Sequence, residues 1–310
     1  MTHLSVVIPV LNEESLIDEL IHRVTRNVQK ITENFEIIIV DDGSKDDTWK
    51  RMQQNIEKDS RIYGIRFSKN FGHHYAITAG IHDSKGDWVV VMDGDLQDRP
   101  EVIPELYQEA IKGFDTVFVS RKNRPESLMY RITQKIFYLI LNSLSGLKFD
   151  STQANFSIIN KKVVDAFRGF PENSRFYSST IKWLGFDNGV IYAEHGKRFS
   201  GKPSYTFKSR IDLAIDIIVN FSDRPLKISF YLGSLLTLGS IILSVKTIIQ
   251  SLIQNYAFSS SYLLIIFTLF YIGITFIFFG IIGLYMGKIY NETKRRPLYV
   301  IKEIYKKTTI

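Results

Sequence analysis

Five apolar runs of strand length recur in the first 120 residues, and each closes on a polar loop. The runs are Leu4–Val10, Phe35–Val40, Ile62–Phe67, Trp88–Met92 and Thr116–Val119, with patterns of helical period near 13–31, 46–57, 75–83 and 101–112. A βαβα order of this kind predicts a mostly parallel sheet with helices on both faces. In such sheets ligands bind beyond the carboxyl ends of the strands, at a topological switch point. The polar loops stand there: Pro9-Val10-Leu11-Asn12-Glu13, Asp41-Asp42-Gly43-Ser44, Ser68-Lys69-Asn70-Phe71-Gly72, Asp93-Gly94-Asp95 and Ser120-Arg121. Asn12 is placed to cap the first helix, with Glu13 and Glu14 in its first turn.

The fourth run ends in three carboxylates, Asp93, Asp95 and Asp98. Side chains at i and i+2 of an extended chain share a face. With Gly94 letting the backbone turn, Asp93 and Asp95 can converge on one hard cation, as Mg²⁺ or Mn²⁺ is commonly held beside a diphosphate. A polar turn after a core strand gives the same pattern, so the pair alone does not decide. Asp98 reads as a helix cap before Pro100. The chain has no cysteine, which removes disulfides, thiolate metal sites and a cysteine nucleophile. It has neither G-x-G-x-x-G nor a Walker loop, so dinucleotide and P-loop chemistry fall away.

Composition changes near residue 226. Ile228 to Val245 and Thr247 to Gly287 contain no charged side chain, and the second stretch is interrupted by Gln254-Asn255 and Ser259-Ser260-Ser261. About 20 apolar residues cross a bilayer, so two transmembrane helices are expected, near 228–249 and 262–287. The net charge of +7 is concentrated at the C-terminus, where residues 288–310 hold +5. Beside a membrane segment this is a topology signal and not a nucleic-acid patch. It places residues 1–225 and the tail in the cytoplasm, the chain being an integral protein of the cytoplasmic membrane. The start of the chain lacks a basic n-region, and its apolar run is too short for a signal peptide. Two basic amphipathic stretches, 126–145 and 206–225, suit either the interface plane or ordinary core packing. The expected organisation is thus a domain over 1–205, a juxtamembrane helix over 206–225, two spans within 226–287 and a basic tail over 288–310.

Taken together, Val6-Val7-Ile8-Pro9-Val10-Leu11-Asn12-Glu13-Glu14, Ile39-Val40-Asp41-Asp42-Gly43-Ser44, Asn70-Phe71-Gly72 and Asp93-Gly94-Asp95-Leu96-Gln97-Asp98 resemble the family 2 glycosyltransferases with the GT-A fold. With the expected spans, the resemblance narrows to the polyprenyl-phosphate branch, which includes bactoprenol glucosyltransferases and dolichyl-phosphate mannose synthases. It implies that Pro9, Glu13, Asp42, Asn70 and Gly72 line a nucleotide-sugar pocket, with Asp41 there or orienting the turn. Asp95 would ligate Mg²⁺ or Mn²⁺, Asp93 would contact ribose or a metal-bound water, and Gln97 would support the metal shell or the sugar.

The acceptor implied is a polyprenyl phosphate, close to a dianion at neutral pH. Such a nucleophile needs positioning by cations more than a strong base. The candidates are Arg121, Arg131 on the first amphipathic stretch, and Arg198. Arg198 lies in a segment matching the family's R-x-x-G-x-S-x-Y acceptor loop, with Lys202, Ser204 and Tyr205. Surface solvation for Arg131 and a plain loop for Arg198 remain open. One element departs from the family pattern: where many relatives carry Asp-Phe-Arg-Leu, this chain has Asn155-Phe156-Ser157-Ile158. An amide cannot take a proton as a carboxylate does, although it can hydrogen-bond a sugar. The activity implied is inverting transfer of one glucose-like hexose from a UDP-sugar to undecaprenyl phosphate, with a homo-oligomer left open. Transfer to another lipid such as diacylglycerol, or an inactive membrane scaffold, are the rival readings.

Overall fold

The computed structural model describes residues 3–122, 137, 139–145, 153–170, 176–194, 214–216, 218–219, 222–254, 261–294 and 296–307. The chain forms two compact units. The first comprises Met1–Leu139, Leu147–Thr206 and Arg296–Ile310, the second Ile140–Gly146 and Phe207–Arg295.

The first unit is built on an eight-stranded sheet. In chain order its elements are β1 (Leu4–Val10), α1 (Ile17–Val28), β2 (Phe35–Asp41), α2 (Thr48–Ile56), β3 (Ile62–Phe67), α3 (His73–Asp83), β4 (Trp88–Val91), α4 (Ile103–Ala110), β5 (Thr116–Lys122), β6 (Gln153–Asn160), α5 (Lys161–Arg168), α6 (Tyr177–Trp183), β7 (Asn188–Glu194) and β8 (Ile301–Lys306). The strand order is β7-β5-β6-β4-β1-β2-β3-β8. The chain winds from β1 outward to β3, then returns to place β4 on the other side of β1. The switch point therefore lies between β1 and β4.

The central strands are buried on both faces, as their near-continuous apolar runs require. Val6 and Ile8 of β1 join one core with α1, α2 and α4, while Val7 joins the other with α3, α5 and α6. Gly80 lets α3 lie close to β1, since a Cβ there would stand 2.3 Å from Val7 Cγ1. All five strands read from the sequence are present. Three more, β6, β7 and β8, complete the sheet. β6 runs antiparallel to both β4 and β5, and β8 antiparallel to β3, so the sheet is mixed.

The C-terminal segment, expected as a separate tail, instead supplies β8 to this sheet. Lys306 pairs with Asp83 at 3.4 Å and lies over the Tyr63 ring. Basic residues assigned to topology therefore work in the fold.

The second unit contains two long helices, α7 (Arg224–Gln254) and α8 (Ser261–Thr293). Among the described residues only one segment is long and apolar enough to cross a membrane, Ile274–Thr293 in α8. This corrects the expectation of two spans at 228–249 and 262–287. The uncharged stretch of α7, Ile228 to Val245, is closed at its two ends by Lys227 and Lys246. Ser229 and Ser234 spend their hydroxyls on the carbonyls of Pro225 and Phe230, one turn back. Within this unit Lys288 pairs with Asp216 at 2.8 Å, Tyr285 donates to the Ser222 carbonyl, and Arg224 to that of Ser143. Of the amphipathic stretches, 137, 139–145, 214–216 and 218–219 are helical. Leu139 and Ile140 are exposed, whereas Leu141 and Ala214 are buried.

Candidate functional site

The polar loops meet at the carboxyl ends of β1, β2 and β4. Asn12 makes two of the ties that join the first pair. Asn12, at φ 55°, donates its N–H to Ser44 Oγ at 2.9 Å and accepts from Lys45 N–H at 2.9 Å. Asn12 is thus a bridge between loops and not the cap of α1, which begins after Leu16. Glu13 is held beside it, its N–H donating to Thr48 Oγ1 at 2.8 Å. Pro9 is buried within β1.

The two carboxylates that close β2 do different work. Asp41 is 0% exposed, accepts from Ser44 N–H at 2.8 Å and pairs with Arg66 Nε at 3.3 Å. It orients the turn, with its charge answered from β3. Asp42 is 3% exposed and accepts from the N–H groups of Phe71 at 2.7 Å and Gly72 at 2.9 Å. It pins the Asn70–Gly72 loop. Burial pushes the Asp42 carboxyl up from its ordinary value, and the neighbouring Asp41 charge adds; the two loop amides and His73 oppose this incompletely.

At the switch point, the turn after β4 is shaped by its own carboxylates. Asp95 Oδ1 accepts from Gln97 N–H at 3.0 Å, and Asp98 Oδ2 accepts from Asp93 N–H at 3.2 Å. The short 3₁₀ turn Pro100–Val102 has no side-chain cap, so Asp98 serves the Asp93 loop instead of capping a helix. The glycine between the acids is needed for close approach: a Cβ on Gly94 would stand 2.7 Å from Val10 Cγ1. The left-handed residue in this turn is Leu96, at φ 58°.

His73, the first residue of α3, reaches into this acidic cluster. Its Nε2 lies 3.1 Å from Asp93 Oδ1 and 3.3 Å from Asn155 Nδ2 of β6. Burial disfavours its protonation, but the Asp93 carboxylate prevails through charge and hydrogen bond, helped by Asp42 and Asp98, and the imidazole is held above its usual value. In the sequence His73 stands in no evident ligand pattern and reads at most as shaping the Asn70–Gly72 loop. The available signal was positional: α3 starts at the carboxyl end of β3, where the other site loops stand.

His74 is its opposite. Burial, reinforced by the His73 charge, pushes it down to about 3. Its Nδ1 accepts from Tyr177 N–H at 3.4 Å, and its ring meets Phe176 edge-on. Below pH 6.5 the unfolded chain takes a proton at this position that the folded chain refuses. His74 thus costs stability as pH falls, at a limiting slope of roughly 1.4 kcal/mol per pH unit. His73 has the opposite sign, since its contribution is present at low pH and is lost as pH rises through its raised pKa. Thermal unfolding of His74→Gln at pH 5.5 and 7.5 isolates the first effect. The variant should lose less stability on acidification than the parent, and equal losses would assign the acid sensitivity elsewhere.

The structure therefore joins Asp93 and Asn155 through His73, and Asp42 to the Asn70–Gly72 loop, while Asp41 orients the Ser44 turn. Asn70 itself is exposed, and Gln97 is half-buried. Arg121 belongs to β5. Arg131, Arg198, Lys202, Ser204 and Tyr205 lie outside the described residues. Among the described residues no group of three or more His, Cys, Asp or Glu side chains is arranged to hold a metal ion. Asp93 and Asp95 still offer hard oxygen donors from one turn, a set that fits Mg²⁺ or Mn²⁺ when a diphosphate completes the shell.

Residues 5–168 match the family described as Glycosyl transferase family 2. The chain is 33% identical over 308 residues to the uncharacterized glycosyltransferase YkcC of Bacillus subtilis, covering 97% of this chain and 94% of that protein. It is 32% identical over 303 residues to an undecaprenyl-phosphate 4-deoxy-4-formamido-L-arabinose transferase of Salmonella choleraesuis, covering 97% and 93%. Among solved structures it is similar to glucosyl-3-phosphoglycerate synthase of Mycobacterium tuberculosis in complex with UDP. There the TM-score is 0.52 at 19% identity, over 71% of this chain and 79% of the other. At that identity the likeness shows a shared fold, which is of the GT-A type.

Proposed function

The chain belongs to glycosyl transferase family 2, and from that premise we propose that it moves a single sugar from a nucleotide sugar to a polyprenyl phosphate at a membrane surface. The donor proposed is a UDP-linked, glucose-like hexose, the acceptor undecaprenyl phosphate, and the outcome inversion at the anomeric carbon. The observation that carries the reading is the meeting of acidic loops at the β1/β4 switch point, with Asp93-Gly94-Asp95 packed against the end of β1. Similarity along almost the whole chain to a transferase whose name specifies undecaprenyl phosphate supports the acceptor class. The apolar segment Ile274–Thr293 supports a membrane location.

In this reading Asp41 and Asp42 shape the nucleotide pocket from beneath, by fixing the Ser44 turn and the Asn70–Gly72 loop. Asp93, oriented by His73, faces ribose or sugar, and Asn155 offers its amide to the sugar hydroxyls. Asp95, with Asp93 and the donor diphosphate, would hold Mg²⁺ or Mn²⁺, which stabilises the charge on the departing UDP. The acceptor phosphate already bears its charge near neutral pH, so a strong base is unnecessary. Arg121, Arg131 and Arg198, with the loop residues Lys202, Ser204 and Tyr205, are proposed to position it against the anionic donor.

A panel of UDP-sugars assayed for UDP release in detergent, with undecaprenyl phosphate or diacylglycerol and with Mn²⁺ or EDTA, tests the proposal. Release should require the phosphorylated lipid and the divalent ion. Turnover with diacylglycerol alone would replace the acceptor. Failure of every UDP-sugar to bind in calorimetry would remove the donor class.

A further inference from the structure

The loop after β3 is held from two sides, and one of them is the C-terminal segment. On the inner side Asp42 accepts from Phe71 and Gly72 N–H. On the outer side the Val300 carbonyl accepts from Ser68 N–H at 2.9 Å, the first contact beyond the β3–β8 ladder. Next to it, the Tyr299 ring stacks on Phe67 with centroids 4.9 Å apart and planes 12° from parallel. Phe67 in turn meets Phe71 edge-on at 5.7 Å. A short aromatic relay thus runs from Tyr299 through Phe67 to Phe71, and Phe71 is one of the two residues whose amides Asp42 holds. Tyr299 follows the last residue of α8, Thr293, by only six positions.

We infer that Tyr299 and Val300 are positioning residues of the donor site, setting the Ser68–Gly72 loop that borders the nucleotide pocket. The inference rests on the donor site proposed above. It gives the C-terminal strand a role beyond covering the edge of β3. The strand arrives from the helix that carries the membrane-spanning segment, so the chain just after that helix is built into the wall of the pocket. Strain or displacement of residues 296–300 would then alter donor binding first, because the relay from Tyr299 reaches Phe71, whose amide Asp42 holds.

The test compares Tyr299→Ala with Tyr299→Phe in the full-length protein. Losing the ring should raise the KM for the UDP-sugar by about 5- to 20-fold, with kcat and the KM for undecaprenyl phosphate within about twofold of the parent, as expected for loop misplacement. Tyr299→Phe keeps the stack, so its donor KM should stay closer to the parent's than that of Tyr299→Ala. An unchanged donor KM in a folded Tyr299→Ala protein overturns the inference, as does a joint fall in kcat, acceptor affinity and thermal stability. Hydrogen exchange of the segment 66–74 without ligand separates this inference from the functional reading. If the parent turns over no UDP-sugar, the functional reading has failed. Faster exchange in Tyr299→Ala then still supports the clamp on the loop, and unchanged exchange overturns it.

Discussion

An Asp95→Asn protein should fold as the parent does and lose about two to three orders of magnitude in turnover, the scale seen when one preorganised electrostatic group is removed. The separation of folding from activity follows from what Asp95 does locally. Its Oδ1 accepts a hydrogen bond from Gln97 N–H at 3.0 Å. The amide oxygen of asparagine can accept the same bond, so the turn after β4 has reason to keep its shape. What disappears is a negative charge at the point where a cation would meet the diphosphate. Thermal unfolding should therefore change little, while UDP release at saturating Mn²⁺ collapses and the Mn²⁺ dependence shifts to higher concentration. Turnover within threefold of the parent would remove Asp95 from the reacting centre. Asp93→Asn is a less clean probe, because it also weakens the pairing with His73 at 3.1 Å.

Why the sequence led to this turn, and where it stopped, has a physical explanation. β1 and β3 were legible to the residue because central strands bury both faces and so read as near-continuous apolar runs, interrupted by Ser5 in β1 and Arg66 in β3. β6 escaped because it alternates Gln153, Asn155 and Ser157 with apolar residues, and its pairing with β4 joins residues about 70 positions apart. β8 escaped for the same reason at greater distance: Ile301-Lys302-Glu303-Ile304-Tyr305-Lys306 reads as a basic tail until β3 is known to be its partner. The site divided along similar lines. Loops that end strands announced themselves through short spacings. His73 did not, because its contacts with Asp93 and Asn155 depend on how α3 crosses the sheet. The membrane reading failed on a different point. Absence of charge was counted over both long helices, and among the described residues one segment, Ile274–Thr293, is long and apolar enough to cross a membrane.

Gly43→Ala is expected to be the most damaging single-methyl change in the catalytic unit, and geometry separates two contributions to its cost. Gly43 has φ +77°, where a side chain strains the backbone by about 1–2 kcal/mol. The added Cβ would also stand 2.5 Å from Lys69 C and 2.7 Å from Asn70 N, backbone atoms that cannot rotate away. To relieve that contact, the loop must move off the end of β2. Phe71 and Gly72 N–H would then leave Asp42, whose buried carboxylate loses the bonds that favour its charge. Strain, clash and lost hydrogen bonds together should reach roughly 3 kcal/mol or more. Gly113 provides the control. It has φ +118°, but a Cβ added there would meet nothing within 4 Å, so Gly113→Ala carries the backbone strain without the collision. Measured side by side, Gly113→Ala should show a small loss of thermal stability and normal UDP binding. Gly43→Ala should show a larger loss and, where it remains folded, weakened UDP binding. Equal effects from the two substitutions would mean that the loop after β3 is not wedged against the β2 turn, and that Asp42 does not govern its position.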